Sequence, residues 1–153
     1  MNKNIVEIDR FLQIFEENGR YEQTKKLIQH GDISVFEHCL RVTNMSIIIA
    51  EKLHLNIDRS SLIRGALLHD YFLYDWHIKD KSHSLHGFHH PATALKRAKE
   101  DYNINEIEQN IILRHMFPLT VVPPKCKEAW VVCLADKICA AAETLNTKKR
   151  ATR

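Results

Sequence analysis

Apolar residues recur at helical spacing through most of this chain, and only 4 glycines and 4 prolines interrupt them. With so few breakers and few alternating β-branched runs, the expected fold class is all-α, a helical bundle. A first helix is predicted over Ile5 to Glu17, ended by the Asn18-Gly19 C-cap signal, and a second, short one from Tyr21 to Gln29, stopping at Gly31. Ser34 with Glu37 three residues on makes a capping box for a third helix, whose apolar residues run from Val35 to Leu53. Asn56 to Arg59 reads as a connection, and Ser60 to Leu68 carries a helix into "GALLHDYFLYDW", with His69 and Asp70 near its end. The polar, His-rich stretch from Asp75 to His90 reads as an ordered loop. Pro91 suits a first helical position, opening a helix to about Tyr102. Asn105 with Glu108 repeats the capping box and starts a helix through His115. Pro118, Pro123 and Pro124 break the chain, and Lys125 to about Thr144 forms the last long helix, followed by a frayed "NTKKRATR".

A length of 153 residues fits one core. The expected organisation is N-terminal helices over 1–33 packing on a main domain of 34–144, with a basic tail of 145–153. The formal charge is +3, and the basic residues Lys79, Lys81, Lys96, Arg97, Lys99, Lys125 and Lys127 are dispersed. No specific nucleic-acid binding is expected from such a pattern, whereas a small anionic substrate suits it. Cys39, Cys126, Cys133 and Cys139 form no CxxC pair, so reduced thiols in a cytoplasmic protein are expected. No apolar run approaches the roughly 18 to 20 residues of a membrane span. Monomer and homo-oligomer both stay open.

The chemistry is concentrated in five separated stretches: His38, the pair His69-Asp70, the cluster His86, His89 and His90, then His115, and finally Asp136. Imidazole mixed with carboxylate selects iron, manganese, zinc or similar ions over calcium, which prefers an all-oxygen shell. Asp136 sits in "WVVCLADKICAAA", where an isolated carboxylate would cost several kcal/mol unless paired or metal-bound. Taken singly, Asp136 reads as a buried ion pair, His38 as a hydrogen-bonded helix histidine, and the His-Asp dipeptide as chance. Their joint order carries the argument.

That order resembles the HD superfamily of metal-dependent phosphohydrolases, through "SVFEHCLRV", "RGALLHDYFLYDW", "HGFHHPATAL", "IILRHMFPLT" and "CLADKICA". The resemblance runs from about Ser34 to Ala142 and is closest to the small stand-alone bacterial HD-domain proteins. It implies an all-helical fold with the metal site between helices, in which His38, His69, Asp70 and Asp136 hold one metal. His90 and His115 match the positions that hold a second metal, with Asp70 bridging. His86 joins the expected ligand set, although it and His89 can equally serve as hydrogen-bond partners that orient a ligand. The implied cofactor is a divalent transition metal, two per chain: iron, manganese or similar, with zinc, cobalt or nickel as alternatives. The implied reaction is hydrolysis of a phosphate ester or anhydride, of a nucleotide or related metabolite, by a metal-activated hydroxide. Asp70 is then catalytic, and Lys137 and Arg114 are candidates to hold phosphate, with a solvated face or ion pair as their alternative. Tyr74 and Trp76 offer either base stacking or core packing. His54, His77 and His83 read as surface or loop residues, and His30 as the end of a helix. The cyclic dinucleotide branch differs, commonly showing tandem histidines and a GYP motif where this chain has Arg114 and a single His115. The site is somewhat more similar to the branch hydrolysing symmetric dinucleoside polyphosphates. A metal-binding signalling module without turnover is the alternative reading of the same fold.

Overall fold

Both capping boxes read from the sequence form. In the computed structural model, which describes residues 3–78 and 85–151, Ser34 Oγ accepts from the Glu37 amide at 3.1 Å while the Ser34 amide donates to Glu37 Oε2 at 2.9 Å. Asn105 and Glu108 repeat this exchange at 2.9 and 3.1 Å. These caps satisfy amides that a helix start otherwise leaves unpaired. They open α2 (Val35–Lys52) and α5 (Glu106–Arg114). The other helices are α1 (Lys3–Asn18), α3 (Arg59–Leu68), α4 (His86–Asp101) and α6 (Lys127–Ala151). The all-α expectation is met.

Three local expectations differ. Tyr21 to Gln29 is not one helix: Tyr21–Lys25 forms a 3-10 turn, and the chain then makes a short antiparallel hairpin, β1 (Ile28–His30) with β2 (Ile33–Ser34). Gly31 allows this turn, at φ +61, a conformation that a side chain strains. A Cβ there would also lie 2.6 Å from the Thr147 hydroxyl of α6. The fourth helix begins at His86 rather than Pro91, so Pro91 sits inside it. At the C-terminus, α6 continues to Ala151 where a frayed tail was expected.

One hydrophobic core joins Ile8, Phe15 and Tyr21 to Val42, Leu62, Leu67, Ile111, Ile112 and Val132. Helix α2 packs on α3 and α6, α3 on α5, and α5 on both α4 and α6. Gly65 allows the close approach of α3 to α5, since a Cβ there would lie 2.5 Å from Ile111 Cδ1 and 3.0 Å from Ile111 Cβ. Polar contacts fasten the N-terminal segment: Tyr21 donates to the Leu67 carbonyl at 2.8 Å, and Arg20 pairs with Asp101 at 2.8 Å. No helix of the described residues is long and apolar enough to cross a membrane.

Candidate metal centre

Helix ends place His69, Asp70 and His115. His69 and His115 stand at the C-caps of α3 and α5, where the last carbonyls lack intrahelical donors. Each turns its Nδ1 back onto the carbonyl three residues earlier, His69 to Ala66 at 2.7 Å and His115 to Ile112 at 2.8 Å. A carbonyl only accepts, so Nδ1 carries the hydrogen and Nε2 is directed inward. His90, on α4, does the same with the carbonyl of His86 at 2.9 Å. His38, one turn into α2, donates through Nδ1 to the buried Glu143 carboxylate at 2.9 Å. In the His69, His90 and His115 rings a backbone carbonyl sets the tautomer that a metal ligand needs, whereas His38 has a carboxylate at each nitrogen, Glu143 at Nδ1 and Asp136 at Nε2.

The inward atoms form two groups that meet at Asp70. In the first, His38 Nε2 lies 3.0 Å from Asp136 Oδ1 and 3.7 Å from Asp70 Oδ2, and His69 Nε2 lies 3.4 Å from Asp70 Oδ2 and 3.7 Å from Asp136 Oδ1. The second has His90 Nε2 and His115 Nε2 at 3.1 and 3.3 Å from Asp70 Oδ1. Ligand atoms each about 2.1 Å from one ion lie about 3.0 to 3.4 Å apart in octahedral or tetrahedral shells, and the two groups, at 3.0 to 3.7 Å and 2.8 to 3.3 Å, come near that spacing.

Unmet polarity supports the same fit. His90 Nε2 and His115 Nε2 are only 2.8 Å apart, and two imidazole lone pairs at that distance repel unless a cation or proton lies between them. His69 Nε2 and Asp70 Oδ1 are buried without a hydrogen-bond partner. Burial opposes charge at His38, His69, Asp70, His115 and Asp136. It is outweighed at Asp70 by His69, His115 and His90, which hold the carboxyl well below the usual range, and at Asp136 by His38 and His69 with the same direction. His38 is pushed up to about 10 by Asp136 and Glu143, against the opposing effect of burial. Burial wins at His115, which is lowered. The centre calls for positive charge between its carboxylates.

The comparisons with known proteins bear on this arrangement. The model of the HD domain family matches residues 35–141, well over half of the chain. The chain belongs to the HD domain family. No curated protein and no solved structure matches it. HD domains form a superfamily of metal-dependent phosphohydrolase type, mostly hydrolases, that binds divalent metals. The donor groups of this HD domain fit such ions.

Other predicted residues of the HD domain are placed around the centre. His86 stands outside both donor groups: its carbonyl receives His90, its ring stacks on His90 at 4.5 Å and on Trp76 at 5.0 Å, and its Nδ1 lies 2.7 Å from the Tyr74 hydroxyl. It braces the His90 ring. His89 is exposed. Lys137 reaches the wall of the site, with its amine donating to the His115 carbonyl at 3.0 Å and contacting Cys133. Arg114 does not join the centre but lines a separate cavity with Glu106, Lys125 and Cys126. Adjacent helical residues point about 100° apart, so turning His115 inward turns Arg114 away. His54 and His77 are exposed as expected, and His83, Lys79 and Lys81 lie outside the described residues.

Three site residues went unassigned in the sequence: Gln29, His30 and Glu143, all outside the family match. Glu143 lies two helical turns after Asp136, a spacing that puts both on one face of α6. His30, expected to end a helix, is half-buried on β1 instead. The centre opens into a cavity of about 730 Å³ whose wall includes Gln29, His30, Trp76, His86, Met116, Leu119 and Lys137.

Proposed function

We propose that this HD domain is a metal-dependent phosphohydrolase with a dinuclear centre, acting on a phosphate ester or anhydride of a nucleotide or related metabolite. The observation that carries this reading is the division of Asp70: Oδ2 faces His38 and His69, while Oδ1 faces His90 and His115. One carboxylate then serves both positions, and Asp136 adds a second negative charge to the first. Bound ions would supply Lewis acidity, acidifying a water and neutralising charge on the phosphoryl oxygens. The protein supplies the rest. Four imidazoles held by hydrogen bonds keep the ligand atoms in place, and the buried helix ends around them exclude bulk water. Lys137 brings positive charge to the wall but engages a phosphate only by releasing one of its present contacts. The Trp76 and His86 rings, 14° from parallel, together with Met116 and Leu119, give the cavity a flat apolar side suited to a base.

Metal analysis of freshly purified protein, joined to a hydrolysis panel of nucleotides and generic phosphoesters, tests this. The expected result is turnover that chelator stops and that Asp70→Ala abolishes together with most of the bound metal. Full activity of Asp70→Ala, or activity persisting in chelator, would overturn the assignment. A protein that holds its metal and turns over nothing on the panel would be the signalling module instead.

A further inference from the structure

Gln29 is buried on β1, between two neighbours that are more exposed, and it lies outside the segment matched by the family. The hairpin is fixed on both sides. Its exit is tied by the Val35 amide donating to the Leu27 carbonyl at 2.8 Å, and β1 packs on α2 and α6. From there the Gln29 Nε2 donates to Asp70 Oδ2 at 2.6 Å.

The carboxylate can only accept at this contact, so the amide orientation is determined: nitrogen toward Asp70, oxygen away. That leaves Gln29 Oε1 buried without a partner. An unmet buried acceptor costs stability, which makes glutamine a poor choice for packing alone. Its use lies in what it does to Asp70. A carboxylate free to turn about its terminal torsion can give both oxygens to one ion. With Oδ2 held by Gln29, the plane is set so that Oδ1 points at His90 and His115, 3.1 and 3.3 Å away.

We propose that Gln29 is a positioning residue of the metal centre, holding Asp70 in the orientation that bridges two ions. The inference rests on the dinuclear reading above and assigns a role to a segment preceding the family match.

Electron paramagnetic resonance of the whole chain titrated with Mn²⁺ tests it, because a carboxylate-bridged pair gives an exchange-coupled signal and isolated ions do not. Wild-type protein is expected to show the coupled signal at saturation. Gln29→Met, which keeps the volume and removes the donor, is expected to bind Mn²⁺ about 10- to 100-fold more weakly and to show isolated-ion signal in its place. Gln29→Ala, opening onto the existing cavity, provides the same test should the methionine variant not fold. Circular dichroism and the metal-free melting midpoint should stay close to wild type. Coupled signal at wild-type affinity in a folded variant overturns the role of Gln29 and leaves the metal pair standing. Failure of both variants to fold without metal makes Gln29 a structural residue and also overturns the role. Absence of a coupled signal in wild-type protein removes the metal pair, and the role of Gln29 with it.

Discussion

At His38 a proton and a metal ion compete for one nitrogen. Burial disfavours the imidazolium, but Asp136 and Glu143 outweigh it and raise the residue to about 10. The folded value lies above the unfolded one of about 6.5. The stability His38 gives the metal-free protein is therefore fully present below about 6.5 and lost as pH rises through about 10. Asp136 has the opposite sign, its contribution present above about 4 and lost on acidification. Uptake of metal must expel the His38 proton, so affinity is expected to rise with pH, by up to roughly tenfold per unit for each proton displaced. Calorimetric titration with Mn²⁺ near pH 6 and 8, in buffers of different ionisation enthalpy, reads both effects. Constant affinity without proton release would contradict the competition. The sequence showed the need at Asp136 because its apolar neighbours made a bare carboxylate untenable. It did not show Gln29, whose role depends on a contact 41 residues away.

Local chemistry decided which elements were legible. The Ser34 and Asn105 boxes are written in four consecutive residues each, and both form. The hairpin after Lys26 is not legible locally, because it packs on α6, where Thr147 closes on Gly31. Proline favours a first helical position, which points to Pro91, yet α4 begins at His86 after Leu85 at φ 58. That early start puts His90 within a turn of its own anchor carbonyl. His90 and His115 are both buried, so their test uses asparagine rather than alanine. The double variant His90→Asn with His115→Asn is expected to fall from two ions toward one, and to lose far more turnover than melting temperature. Elemental analysis with thermal melts checks this; retention of both ions and full activity would refute the second position.

The two donor groups draw on α2, the ends of α3 and α5, α4 and α6, so an ion bound there ties the bundle together. Metal at about a hundred times its dissociation constant is expected to add about 2.7 kcal/mol per site, raising the melting midpoint by about 5 to 10 °C. Chelator should reverse the shift in a scanning experiment, and a midpoint indifferent to metal would count against binding to the native fold. At this scale the helical class and the single core were legible, because both follow from periodicity and length. The spacing between helices was not, and Gly65 sets part of it. Gly65 and Ile111 touch one helical turn before His69 and His115 respectively, whose rings stand 4.8 Å apart. The missing methyl group at position 65 thus sets the reach from one donor group to the other. Gly65→Ala should part the two helices and widen the gap between their terminal imidazoles, one in each donor group, so that the exchange coupling of a Mn²⁺ pair weakens in paramagnetic resonance, while unchanged coupling would place that spacing elsewhere.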